Sequence, residues 1–385
     1  MDTNFSAEGS GGPPPPMHPP PIITAPPPRP RKGRGWMIFA ILLLVLLAFS
    51  LCGNFVQAIS HALQFPRGLA QDFGSGMMGT SGPRLEETVL RNEDSANKVA
   101  VVPVEGIITG EAMDQQGNSM VDLIRAELRR ARKDIRVKAV ILKVNSPGGE
   151  VMASDEINRA ITKFEEESHK PVICSMGSLA ASGGYYISAP CRWIVANRLT
   201  ITGSIGVILH TWNYRGLLDK IGIRPVTYKS GKYKDMLSGD RETNQIPSGE
   251  HAMVQGLIDE TYGQFKSVVE AGRASAHARN GDLGRALAGD WQKYADGRVL
   301  SGEEALKLGF VDQLGDFDDA VARAEKIAGI GKANLVEYHV KYNLSDFFSM
   351  FGQGSRAHDI KLDLGIDLPK LQAGYMYFLS PTYVN

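Results

Sequence analysis

The sequence is poor in the residues that build covalent or metal-tied scaffolds. Its 385 residues include three cysteines, Cys52, Cys174 and Cys191. An odd count at these spacings matches no disulfide framework and no zinc site. Cys174 stands in the apolar run "PVICSM" and reads as a small buried hydrophobe. The eight histidines are scattered and form no HExxH pair, so neither a metal nor another cofactor is expected. Charge of one sign is also lacking: 42 basic and 42 acidic residues leave a net charge of zero. With no basic stripe interleaved with aromatics, a nucleic-acid partner is not expected.

A proline-rich stretch and a long apolar run are present, and both lie in the N-terminal part. Residues 1–35 form a low-complexity, proline-rich tail with too little apolar content for a core. The run "WMIFAILLLVLLAFSLC", Trp36 to Cys52, has 17 residues without a charge. That is the short end of what spans a bilayer. A cleaved signal peptide is the competing reading. The preceding tail and the lack of a clean A-x-A site favour an uncleaved anchor. Arg29, Arg31, Lys32 and Arg34 flank its N-terminal side, and no basic residue follows until Arg67. This asymmetry places the tail in the cytoplasm and the body on the outer, periplasmic side of a single-pass anchor in the cytoplasmic membrane, with residues 36–52 in lipid. Residues 53–97 read as a linker.

From Lys98 the pattern becomes that of an α/β protein. "KVAVVPVEGII", "VKAVILKVNSPGG", "KPVICSM" and "CRWIVAN" are apolar strands without a clean alternation. Helical periods separate them in "MVDLIRAELRRARKD" and "EVMASDEINRAITKFEEES". Apolar strands alternating with helices predict a parallel sheet covered by helices. In such sheets functional groups gather in loops beyond the carboxyl ends of the strands. Both "NSPGG" and "SLAASGG" fall there. Residues 240–280 are predicted helical, and Ser301 with Glu304 makes a capping box. Beyond about residue 331 one strand-like piece, "NLVEYHVKY", precedes aromatic-rich segments ending "AGYMYFLSPTYVN", to which no role is assigned.

Small residues crowd around one hydroxyl in "SLAASGGYY", which suits a nucleophile that a substrate must reach. Serine needs a base to become nucleophilic, and an acyl-transfer site needs two donors aimed at one point. Gly148 and Gly183, each at a strand end, offer backbone N–H groups that meet beside Ser182 if the two strands are neighbours. The segment "GGYYISAP" can open a helix whose N-terminal dipole favours an oxyanion. No histidine is near in sequence. The run "YKSGKYKD" offers Lys229, Lys232 and Lys234 as amines able to serve if neutral, and spacing does not choose among them. Ser204 in "TGSIG" is placed to position such an amine.

Together, "NSPGGEV", "SMGSLAASGGYYIS", "TGSIGVI", "SGKYKD" and "ADGRVLSGEEALKLGFVDQLG" resemble the signal peptide peptidase A family, peptidase family S49, in its single-copy form. The resemblance runs from about residue 98 to 330. It implies a ClpP/crotonase-type fold of repeated ββα units, residues 98–330 as a Ser-Lys peptidase domain and 331–385 as a C-terminal extension. It implies catalytic Ser182 and Lys234, Ser204 as the serine that hydrogen-bonds the lysine, and Gly148 and Gly183 as the oxyanion hole. It further implies a serine endopeptidase that degrades cleaved signal peptides. The expected assembly is a homo-oligomer, tetramer to octamer, with the dyad formed across subunits because no second "SPGG" or "AASGG" occurs. Competing readings are a stomatin-associated NfeD-type Ser-Lys protease, and a crotonase-like acyl-binding or scaffold protein without peptidase activity.

Overall fold

A computed structural model describes residues 39, 42–47, 83–114, 117–341 and 376–379. The chain divides into two units, Met1–Gly79 and Thr80–Asn385. In the first, Phe39 and residues 42–47 of the apolar run are helical with exposed side chains. The rest of that run, the proline-rich tail and residues 53–82 lie outside the described residues. Among the described residues no helix is long and apolar enough to cross a membrane.

The second unit is built on a nine-stranded mixed sheet. Its elements in chain order are β1 (Leu85–Arg91), β2 (Lys98–Glu105), α1 (Met120–Lys133), β3 (Val137–Ser146), β4 (Gly148–Glu150), α2 (Val151–Ser168), β5 (Val172–Ala181), α3 (Gly183–Ser188), β6 (Trp193–Ala196), β7 (Ile201–Gly203), β8 (Ile208–Leu209), α4 (Arg215–Lys220), α5 (Ser248–Asn280), β9 (Val299–Ser301), α6 (Gly302–Lys307), β10 (Gln313–Leu314), α7 (Phe317–Ile327), β11 (Asn334–Val340) and β12 (Met376–Leu379). The main sheet runs β1-β11-β2-β3-β5-β6-β10, with β7 joined to β5 and β9 to β7. The pairs from β11 through β10 are all parallel.

The parallel core explains the apolar runs. Along β3, Val140, Leu142 and Val144 join one core, with Ile124 and Leu128 of α1 and Ile157, Ile161 and Phe164 of α2. Ala139 and Ile141 join the other, against Ala320, Val321 and Ala324 of α7. Burial on both faces removes the need for polar alternation. The capping box expected at Ser301 with Glu304 starts α6, and Ser119 with Asp122 forms a further one on α1.

Two strands of the sheet come from segments outside the 98–330 block. β11 lies between β1 and β2, and β1 closes the edge by antiparallel pairing to it. β1, "LEETVLR", carries three charged residues in seven. That composition suits an edge and hides the strand from a search for apolar runs. A register shift in β5 bends its end: Val144 faces Met176, but Ser146 faces Ala180. Beyond the shift Leu179, Ala180 and Ala181 also pair with β7. The end of β5 before Ser182 is thereby held between β3 and β7.

Candidate active site

Ser182 stands at the corner where β5 turns into α3. Its backbone is at φ 54°, ψ −117°, a conformation a non-glycine residue adopts only when its surroundings enforce it. The enforcement is visible. The Ser182 N–H donates to the Gly203 carbonyl at 2.8 Å, and the Ser182 carbonyl accepts from the Tyr186 N–H at 2.8 Å. A strand-to-helix corner of this kind projects a hydroxyl clear of its own backbone. Ser182 is 1% exposed, and its Oγ has no hydrogen-bond partner. A buried hydroxyl without a partner is costly, and such groups mark places where stability is traded for chemistry.

α3 is fixed on all sides. Asn158 of α2 donates to the Tyr186 carbonyl at 2.9 Å, and Tyr185 donates its hydroxyl to the Phe310 carbonyl at 3.0 Å. Tyr186 donates to Asp155 at 2.9 Å. Burial raises the pKa of both tyrosines above the ordinary phenol value, so both hydroxyls remain protonated donors.

The two glycine pairs meet as the parallel sheet requires. Gly148 has φ +102°; a Cβ there would overlap the Phe378 carbonyl oxygen and lie 2.6 Å from the Gly183 nitrogen. A Cβ on Gly183 would lie 2.7 Å from Ser154 Oγ and 3.1 Å from the Gly149 nitrogen. Only glycine lets these backbones approach so closely. The Gly148 N–H donates to Ser146 Oγ at 3.1 Å, a partner that sequence reasoning missed. The "S" of "NSPGG" is its only trace in the sequence.

Ser204 follows directly on β7, buried, with φ 50° and its N–H donating to the Arg298 carbonyl at 2.7 Å. Pairing of Gly203 with Ala181 puts Ser204 next to the nucleophile corner. The lysines are arranged differently. Lys229 is ion-paired to Asp235 at 2.8 Å, and Lys232 sits 5.1 Å from the centre of the Tyr233 ring. Lys234 is exposed, its N–H donating to the Gly231 carbonyl at 3.2 Å. Within one chain the fold therefore brings Ser182, Ser204, Gly148 and Gly183 together, and no lysine bonds to Ser182. Cys174 and Cys191 are free and buried. Cys174 Sγ donates to Ser188 Oγ at 3.2 Å, and burial raises the Cys191 thiol well above its ordinary value, so neither is a competing nucleophile. Among the described residues no group of three or more His, Cys, Asp or Glu is placed to hold a metal ion.

The profile of "Peptidase family S49" matches residues 165–331. "Putative protease slr0021" of Synechocystis is 43% identical over 210 residues, 54% of this chain and 70% of that protein. "Putative signal peptide peptidase SppA" of Enterococcus faecium is 36% identical over 259 residues, 66% of this chain and 70% of that protein. The chain belongs to peptidase family S49. It is thus a serine-type peptidase, a hydrolase acting on peptides. "Protease 4" of Salmonella typhi is 33% identical over 298 residues, and the S49 chain described here spans 44% of its length. A solved structure of the "1510-N membrane-bound stomatin-specific protease" aligns with this S49 peptidase at TM-score 0.34 and 19% identity, over 59% of this chain and 84% of that one.

Proposed function

We propose that the protein is a membrane-anchored Ser-Lys endopeptidase that degrades cleaved signal peptides and other hydrophobic peptides. The observation that carries this reading is the buried, partnerless Ser182 hydroxyl, held in a strained corner against the backbones of Gly148 and Gly183. Ser182 attacks the scissile carbonyl, and Lys234 takes its proton. The amine then protonates the leaving nitrogen and activates the water that releases the acyl group. The N–H groups of Gly148 and Gly183 receive the oxyanion, which requires the Gly148 N–H to turn from Ser146 Oγ. Ser204 orients the lysine. The fold is of the ClpP/crotonase type, with residues 36–52 as the anchor, 1–35 as the cytoplasmic tail and the peptidase domain outside the membrane.

The dyad forms between copies of the chain in a homo-oligomer, a reading supported by the exposed Lys234 and by a Ser182 hydroxyl that no lysine of its own chain bonds. The test is hydrolysis of a fluorogenic signal-peptide substrate by the full chain in detergent. Ser182→Ala and Lys234→Ala each lose activity, whereas Lys232→Ala keeps it. Mixing the two inactive variants restores part of the rate, since some interfaces then pair an intact Ser182 with an intact Lys234. Full activity in the Lys234→Ala variant would end the dyad reading.

A further inference from the structure

The two backbone donors beside Ser182 are in different states. The Gly183 N–H stands at the first position of α3, where a helix offers it no carbonyl. The Gly148 N–H donates to Ser146 Oγ at 3.1 Å, and the Ser146 hydroxyl in turn donates to the Gly148 carbonyl at 3.5 Å. Ser146 is 0% exposed, so this clamp is shielded from bulk water.

The backbone on either side of the Pro147–Gly148 peptide is fixed. Upstream, the Asn145 side chain accepts from the Leu179 N–H at 3.2 Å, and the Asn145 carbonyl accepts from the Gly106 N–H at 3.0 Å. Ser146 pairs with Ala180 of β5. A Cβ on Gly184 would lie 2.8 Å from the Ser146 carbonyl oxygen, so α3 packs directly on this residue. Downstream, the Gly148 carbonyl accepts from the Ile108 N–H at 2.9 Å. The Ile108 segment is itself pinned by Glu150, whose carboxylate accepts from the Thr109 hydroxyl at 2.8 Å and from the Gly110 N–H at 3.0 Å. Between these anchors the Pro147–Gly148 peptide can still turn, by changes in Pro147 ψ and Gly148 φ. A Pro-Gly pair has two such settings, with the glycine φ positive in one and negative in the other. Gly148, at φ +102°, is in the positive one.

We propose that Ser146 is a positioning residue that holds the Gly148 N–H in a resting setting, and that the reacting substrate turns the Pro147–Gly148 peptide to complete the oxyanion hole. The inference rests on the reading of Ser182 as the nucleophile and Gly148 as an oxyanion donor. The resting bond is one between neutral groups. The developing oxyanion offers the same N–H a charged acceptor, and such bonds are about twice as strong. The exchange is therefore driven only as the tetrahedral intermediate forms. Its cost falls on kcat and not on KM.

The test is steady-state hydrolysis of the fluorogenic signal-peptide substrate by the full chain in detergent. Ser146→Ala removes the acceptor and frees the Gly148 N–H. The expected result is a kcat about fivefold higher with KM unchanged, the equivalent of one neutral hydrogen bond. Ser146→Cys fills similar space with a weaker acceptor and is expected to give a smaller rise, which keeps the test open if the alanine variant does not fold. A kcat that is unchanged or lower in the folded variants would overturn the proposal, because a serine that merely supports the turn can only lose activity when replaced. A gain that comes from KM alone would overturn it too, since the resting bond would then oppose binding and not the oxyanion. If the native chain hydrolyses the substrate and neither variant is faster, the role of Ser146 falls alone. If the native chain and both variants hydrolyse nothing, the peptidase reading falls and this role with it.

Discussion

At the scale of single residues, the site depends as much on missing side chains as on Ser182. Gly148 combines φ +102° with a Cβ position already occupied by other backbones. Gly148→Ala must therefore both strain the turn, at about 1–3 kcal/mol, and push β4 away from α3. The expected result is a chain that still folds by circular dichroism but hydrolyses peptide about a hundredfold more slowly or worse, the cost of a misplaced oxyanion donor. Gly256 on α5 provides the control, since a Cβ there meets nothing within 4 Å. Gly256→Ala is expected to keep full activity and to raise stability by up to about 1 kcal/mol, the helix preference of alanine over glycine. Equal losses in the two variants would show that general destabilisation, and not the packing at Gly148, sets the rate.

At the scale of elements, the segment carrying the lysines is held by carboxylates and not by a core. Arg241 and Glu250, both buried, form a charge-assisted pair, and the Leu237 N–H donates to Glu250 Oε1 at 3.0 Å. Leu237 is itself in the left-handed region at φ 66°, so this bond holds a strained residue two positions after Asp235. The hydrogen bond from Arg241 lowers the Glu250 pKa below its ordinary value. The stabilisation is thus fully present above the unfolded carboxyl pKa of about 4.3 and is lost as pH falls through the lower folded value. Hydrogen exchange at the Leu237 amide, corrected for its intrinsic rate, should remain slow down to about pH 4 and quicken below it. Glu250→Gln should show the fast rate already at neutral pH. Slow exchange in that variant would mean that the loop is held by other contacts.

The same scale shows what the sequence made legible. Apolar parallel strands, capping boxes and the paired glycines were readable because each is a local rule: burial on both faces, a serine three residues before an acid, a backbone with no room for Cβ. β1 and β12 were not. β1 is a charged edge strand, and β12 is four residues whose pairing depends on partners more than 160 positions away. The Ser146 bond to the Gly148 N–H was likewise hidden, since it depends on how the turn closes.

At the scale of the whole molecule, residues 212–228 present a surface that a lone chain leaves uncovered. Trp212, Leu217, Ile221, Ile223, Val226 and Tyr228 are each more than half exposed, and α4 buries no residue at all. Scattered exposed apolar side chains are ordinary, but six within seventeen positions form a patch of the kind that marks an association surface. The patch precedes the lysine run in the chain, which fits an assembly in which each copy delivers Lys234 to a neighbour's Ser182. Val226, 74% exposed, has no packing role to lose. Val226→Asp should therefore leave the fold unchanged while shifting the chain toward monomer in sedimentation velocity. It should also abolish the activity regained on mixing Ser182→Ala with Lys234→Ala when carried by both. A variant that dissociates yet keeps full hydrolysis would place the base within one chain, and one that neither dissociates nor loses complementation would move the subunit contact to another face.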